Sequence, residues 1–383
     1  MKNSHISKCI VLALLFSLSA VVVMAQQNVG IRHLKVGVLL PLKDTSPRGQ
    51  KMVEFYQGML LAVDSMRSRG VDIDVVALHS GTTETEMASL LSANNLSDRD
   101  VIFGPLDGSQ LPLLSDYCQR NNVRLVVPFS PNIALLNGNP LQYVVTAPRV
   151  QMQAQAASII NVQFANSHYV FVNAQDNNEE GGSFENQLRG LLSQRGAFMR
   201  NVEVDASDDQ YALAFNPLRH NVVVVNSSSI RAVNTMVPHL LNYMSSHPEC
   251  EFSVIGYPSW QTFTNTHLSN FYKLDTYIYT SFYRHPLAES TAAFDQTFQY
   301  WFHQPMANTF PRWGMMGFDV AWFFMHGLEL FGDSLESMIG SVPTFPFQTP
   351  LLMARTDAES GFLNIFVELV HYTKQQSIEV LVP

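Results

Sequence analysis

The sequence predicts an α/β protein of two lobes, each a mostly parallel sheet with helices on both faces. Three observations predict it. Apolar runs of strand length alternate with longer runs of helical period, which implies parallel strands joined by right-handed crossovers. That rhythm runs from Leu34 to Ala147 and starts again at Gln151. The chain has 383 residues, 46% hydrophobic and only 14% charged, enough to bury two large cores.

In order, Leu34 to Pro41 is the first strand. A loop carrying Lys43 and Asp44 leads to a helix over Gly49 to Arg69, whose apolar positions Met52, Val53, Tyr56, Met59, Leu60 and Val63 recur at three and four residues. Gly70 ends it. Val71 to Leu78 reads as a strand, Glu84 to Leu96 as a helix, and Val101 to Phe103 as a short buried strand ending at Gly104 and Pro105. A helix capped by Ser109 runs to Asn121, and strands follow at Val123 to Val127 and Tyr143 to Ala147. The second run places helices at Gln151 to Phe164, Ser183 to Ser193 and Ile230 to Met244, with strands at Tyr169 to Asn173, Phe198 to Val204 and Phe252 to Ile255. Val222 to Val225 is four β-branched residues in a row, the mark of a strand buried on both faces. After a strand at Tyr277 to Phe282 come helices over Leu287 to His303 and Met315 to Phe331, then strands including Asn364 to Tyr372 and Ile378 to Val382.

At the N-terminus, Lys2 and Lys8 precede an uncharged apolar run, Cys9 to Met24, and small or β-branched residues lead to Val23, Met24 and Ala25. This is the order of a secretory leader cleaved after Ala25, and the run is short for the ~20 residues of a spanning helix. The expected location is periplasmic, with no membrane anchor after cleavage, since Cys9 stands at the start of the apolar run instead of at the cleavage point. The formal net charge is −9 and no basic run appears, which argues against nucleic acid and anionic membrane surfaces as partners. Cys118 and Cys250 fall in different lobes and outside any Cys-x-x-Cys pair, so two buried free thiols are expected, with no metal and no cofactor.

Specific residues then fit a known pattern. Val36-Gly-Val-Leu-Leu-Pro41 followed by Glu54 to Asp64, Val101-Ile-Phe-Gly-Pro-Leu106, Val126-Val-Pro-Phe-Ser130, Gly317-Phe-Asp-Val-Ala321 and Ser360-Gly-Phe-Leu-Asn364 resemble, in order and spacing, the type 1 periplasmic binding proteins. That family includes the leucine/isoleucine/valine-binding proteins of ABC importers. The resemblance spans Leu34 to the C-terminus, although Ser360 replaces a glycine. It implies two Rossmann-like lobes with three inter-lobe crossings, near Pro148, Tyr283 to Pro286, and Ser341 to Pro346. The first lobe would comprise 34–147 and 284–342, the second 148–283 and 343–383. Ligands would bind between the lobes at the carboxyl ends of the strands, as open α/β sheets do generally, and the lobes would close by a hinge motion.

By that resemblance a ligand carboxylate would meet the turn Asp107, Gly108, Ser109 and the loop Phe129, Ser130, Asn132. The turn opens a helix, where unsatisfied N–H groups and the helix dipole favour an anion. Ser109 as a mere cap and Ser130 as a turn residue are the alternatives. Asp107 would oppose a carboxylate, and Pro131 stands where a hydroxyl residue often follows. On the second lobe Gln175, Asn177, Asn226 and Ser227 end two strands, and Tyr257, with Trp260, could stack on a ring. An acid pairing a ligand ammonium is missing from the second of these loops, though Asp176 or Glu180 could substitute. The aromatic group Trp301, Phe302, Phe310, Trp313, Trp322, Phe323 and Phe324 reads as core beside the late helices, or as a partner-binding patch.

No nucleophile elbow, His-Glu-x-x-His or phosphate-cradling loop occurs, so an enzyme is not expected. The leading expectation is a solute-binding protein that closes on a small polar, amino-acid-like ligand for a membrane permease or for sensing. The alternative is a ligand-free envelope interaction domain, resembling the branch of the same fold that activates peptidoglycan synthases.

Overall fold

The computed structural model describes residues 33–382; the expected leader, 1–25, lies outside the described residues. The strands in chain order are β1 His33–Leu40, β2 Asp72–His79, β3 Val101–Phe103, β4 Arg124–Val127, β5 Gln142–Val144, β6 His168–Asn173, β7 Met199–Glu203, β8 Asn221–Val225, β9 Phe252–Gly256, β10 Thr276–Thr280, β11 Met353–Ala354, β12 Phe362–Asn364, β13 Glu368–Tyr372 and β14 Ile378–Leu381. They form two sheets of seven, ordered β11-β12-β5-β4-β3-β1-β2 and β14-β13-β10-β9-β8-β6-β7. Pairing is parallel except for β11–β12, β10–β13 and β13–β14. The expected two-lobed α/β fold is therefore present, and each sheet carries, counted from one edge, the doubly wound order second-first-third-fourth-fifth.

Alternation along the strands explains why both faces are covered. Val36, Val38, Leu40 and Phe103 pack on one side of the first sheet, and Leu39, Ile102, Leu125 and Val127 on the other. Val222 to Val225 are all fully buried in the second core. The helices used below are α1 Pro47–Arg67, α2 Glu84–Ala93, α3 Leu111–Arg120, α4 Arg149–Gln163, α5 Glu179–Gln194, α6 Asp208–Ala214, α7 Ile230–Ser246, α8 Thr264–Lys273, α9 Glu289–Phe302, α10 Trp313–Phe331 and α11 Leu335–Met338. Of these α6, α8 and α11 are not anticipated from the sequence. Ser207 starts α6 with a capping box closed by Gln210, a short-range signal in seven residues too few for a clear period.

Helix α10 returns the chain to the first lobe by packing on α1. A Cβ at Gly317 would lie 2.0 Å from the Phe55 carbonyl oxygen, and one at Gly58 would lie 1.8 Å from that of Gly314. Only glycine permits backbones this close. Phe323 and Phe324 fill the core there, whereas Trp301 and Phe310 are largely exposed, so the aromatic group expected as one unit divides. Glu336 on α11 receives two hydrogen bonds from Arg124, at 2.7 and 3.0 Å, and one from the Tyr143 hydroxyl at 2.5 Å, locking α11 beneath β4 and β5.

The closing segment differs from the sequence reading. Residues 343–383 are expected in the second lobe, but β11 and β12 extend the first sheet, β12 running parallel to β5. The run Asn364 to Tyr372, expected as one strand, ends β12 and then becomes β13 of the second sheet. The third crossing is therefore at 365–367, not at Ser341 to Pro346. The Asn364 side chain makes the break, accepting from the Leu352 and Phe366 N–H groups and donating to the Pro350 carbonyl.

Asp319, two residues beyond Gly317, is buried and accepts the N–H groups of Phe347, Gln348 and Thr349 at 2.8, 2.9 and 2.7 Å. Burial pushes its pKa up to about 7 against the pull of those three donors. Asp319→Asn would set an NH2 group against some of these donors. The expected cost is about 2–3 kcal/mol of unfolding free energy in urea; an unmoved midpoint would contradict this account of the strap 347–349.

Candidate functional site

In the doubly wound order the crevice opens where strand order reverses, between β1 and β3 in the first lobe and between β6 and β8 in the second. The loops after those strands carry most of the residues expected from sequence. In the first lobe Gly108 and Ser109 are exposed and start a short 3-10 turn ahead of α3. Their N–H groups precede any intrahelical acceptor. Asp107, whose charge seemed to oppose an anion, forms an ion pair with Arg48 at 2.7 Å. Gly104 makes the turn possible: its φ is +137°, and a Cβ would meet the Leu39 carbonyl oxygen at 2.2 Å.

The next loop is largely committed to itself. Ser130 Oγ accepts from the Asn132 N–H at 3.3 Å, and Asn132 Oδ1 from the Ala134 N–H at 3.0 Å. The Phe129 ring sits between Phe55 and Trp313, with centroids 4.8 and 5.8 Å away. Phe129 is thus a packing residue of the α1–α10 seam.

In the second lobe several expected ligand contacts turn inward. Tyr257 is fully buried and donates to the Val225 carbonyl at 2.6 Å, and Trp260 is buried and stacked on Phe271. Neither offers a stacking face, because the 3-10 turn after β9 folds both back onto the sheet. Ser227 is likewise fully buried and donates to Asp176 at 2.6 Å, joined there by Ser229 at 3.0 Å. Asn226 bridges the Ala174 N–H and Asn173 Oδ1. Gln175 and Asn177 are exposed in left-handed conformations, and Gln175 donates to Glu203. Asp176 is thus a brace at the start of α7.

A cavity of about 500 Å³ is lined from both lobes, beside the second crossing, and its walls include none of the ligand-binding residues expected from sequence. The second lobe contributes Gln261, Thr262 and Tyr372; the first contributes Thr309, Phe310, Arg312 and Gln348; the crossing itself contributes Phe282, Tyr283 and Arg284. Gln348 ties these walls together. Its backbone oxygen accepts from the Tyr283 N–H at 3.0 Å, and its side chain accepts from the Arg312 N–H at 2.9 Å. Arg284 pairs with Asp295. The Arg312 pKa is lowered by burial and by the Arg284 guanidinium, which places two cations around one space. The sequence marks Tyr283 to Pro286 as a crossing, so Arg284 was findable there. No spacing signal brings Arg312 or Gln348 to it.

Among the described residues no cluster of His, Cys, Asp and Glu could hold a metal ion, and no helix is long and apolar enough to cross a membrane. Cys118 and Cys250 are buried free thiols, and burial raises the Cys118 pKa.

This geometry has known counterparts. A structure described as a branched-chain amino acid ABC transporter from Rhodospirillum rubrum matches 91% of this chain and all of its own, at 12% identity and a TM-score of 0.64. The chain has the fold of the type 1 periplasmic binding proteins. A branched-chain amino acid ABC transporter periplasmic ligand-binding protein from Burkholderia xenovorans gives a TM-score of 0.53 at 10% identity, over 91% of this chain and 94% of its own. An ABC transporter substrate-binding protein from Sphaerobacter thermophilus gives 0.52 at 14%, over 92% and 97%. No protein-family model and no curated protein matches the sequence.

A smaller cavity of this binding-protein fold, about 190 Å³, adjoins the same crossing and is lined by Tyr283, His285, Thr291 and Glu368. Glu368, opposite Thr280 in the β10–β13 ladder, is 4% exposed, and burial pushes its pKa up to about 7. Asp319 shifts in the same direction. Between the ordinary carboxylate range and about 7, the folded chain keeps protons that the unfolded chain has released. Stability is therefore highest below this window and falls as pH rises through it. Urea denaturation should give a larger unfolding free energy at about pH 5 than at about pH 7.5, by at most about 1.4 kcal/mol per pH unit per group. Glu368→Gln should flatten that slope and stabilise the protein at the higher pH. An unchanged slope would remove Glu368 from this account.

Proposed function

We propose that this protein is an exported, non-enzymatic solute-binding protein whose lobes close on a small ligand and present it to a membrane permease. The lobes of this binder comprise 34–147 with 284–364, and 148–283 with 365–382. The observation that carries the reading is a cavity of about 500 Å³ walled by both lobes at a crossing, within the range of roughly 300–1,000 Å³ usual for small-molecule sites. The strand-end rims support it: Gly108 and Ser109 supply open N–H groups on one lobe, and Gln175 and Asn177 supply exposed polar side chains on the other. Export rests on the leader pattern ending at Ala25. The neighbouring folds are those of ABC substrate-binding proteins, which accords with a permease as partner.

One observation favours the ligand-free interaction domain instead. Asn226, Ser227 and Tyr257 are all engaged internally, leaving the second lobe's rim poor in free hydrogen-bonding side chains. Thermal unfolding with and without amino acids, organic acids, sugars and nucleosides separates the two readings. A binder gains about 2.7 kcal/mol with ligand a hundredfold above its Kd, and X-ray scattering should then report a smaller radius of gyration as the lobes close. If no member of the panel raises the unfolding temperature while the protein captures envelope components, the solute-binding reading is wrong.

A further inference from the structure

The hinge-side cavity has a charge pattern unlike that expected for a zwitterionic amino acid. None of its wall residues is acidic, so a ligand ammonium would find no counter-charge there. Two guanidinium groups, Arg284 and Arg312, line it instead. Asp295 answers Arg284. Arg312 donates to the neutral carbonyls of Met306 and Ala307, and no carboxylate among the described residues makes an ion pair with it. Arg284 Nε and the Tyr283 hydroxyl, both buried, lack hydrogen-bond partners among the described residues. Buried polar groups left in that condition are costly, and an acceptor that reached them would recover the loss.

The remaining walls are aromatic. Phe282 and Phe310 meet at a centroid distance of 4.7 Å, and Tyr272 and Tyr372 at 5.8 Å. Flat apolar surface beside two cations suits a planar organic anion, since guanidinium binds carboxylate in a fork and aromatic faces take the body.

We infer that this cavity binds a small aromatic carboxylate, its carboxylate held by Arg284 and Arg312 and its ring by the Phe282–Phe310 and Tyr272–Tyr372 pairs. This site lies apart from the Ser109 and Ser130 loops, and the inference rests on the solute-binding reading for its physiological meaning.

The test is calorimetric titration and thermal unfolding of the purified protein with four probes: benzoate, benzyl alcohol, leucine and inorganic phosphate. Benzoate should bind saturably and raise the unfolding temperature. Benzyl alcohol, which keeps the ring and lacks the charge, should bind at least about tenfold more weakly. Asn308→Asp adds a carboxylate at an exposed position of the cavity wall with little change of shape. It should weaken benzoate at least about tenfold and leave the unliganded unfolding temperature unchanged. Arg312→Gln should lose benzoate binding as well. If leucine binds and benzoate does not, solute binding stands and this inference falls. If phosphate alone binds, the site takes a bare oxyanion and the aromatic assignment is overturned. Equal binding of benzoate and benzyl alcohol, or unaltered benzoate binding by Asn308→Asp, overturns the charge-based recognition. Silence from all four probes overturns it too, while the broad ligand panel independently decides the solute-binding reading.

Discussion

The buried Asp319 carboxylate is the constraint on which the two-lobed arrangement depends. Three successive N–H groups of the strap 347–349 converge on it. Backbone N–H groups in an irregular buried segment need acceptors, and no strand or helix supplies them there. Asp319 can do so only because Gly317 lets α10 settle directly on the Phe55 backbone. From that anchor Gln348 reaches Arg312 on one side and Tyr283 on the other, so the strap holds the second crossing against the first lobe. Glu54 on α1 completes the arrangement by accepting from the Ala307 N–H ahead of α10.

Much of this architecture was legible in one dimension. Parallel strands covered on both faces must be apolar nearly throughout, so Val222 to Val225 and Val101 to Phe103 announce themselves without reference to neighbours. The long helix α1 shows its period because its apolar positions recur at three and four residues. What escaped was decided by side chains acting at a distance. Asn364 to Tyr372 has the composition of a single strand, and the residue that divides it is an asparagine whose partners, Leu352 and Pro350, are a dozen or more positions away. A linear pattern of apolar residues contains no trace of that event.

The candidate site residues were harder still, for a related reason. Loop asparagines and serines at strand ends carry the composition of a ligand rim and of a self-bonded turn equally well. Ser227, Asn226 and Asn132 resolve toward the turn, each occupied by a partner within its own lobe. Asp176 illustrates the same point for charge: it looks like a counter-ion for a ligand ammonium, but two serine hydroxyls at the start of α7 take it. Gly108 and Ser109 keep the exposure expected of them, since a helix start leaves its N–H groups open by geometry instead of by side-chain choice, and Gln175 and Asn177 also stay exposed.

The distribution of satisfied and unsatisfied polar groups separates the two regions of the cleft. At the strand-end rims, internal hydrogen bonds stiffen the loops and fix the shape that each lobe presents. Beside the crossing, Arg284 Nε, the Tyr283 hydroxyl and the buried Glu368 stand with fewer internal partners. Tyr283 and Arg284 belong to the second crossing, and Glu368 directly follows the third. In a two-state protein a ligand shifts the equilibrium only through contacts that differ between the states, and on the solute-binding reading proposed above these groups are the ones placed to make such contacts.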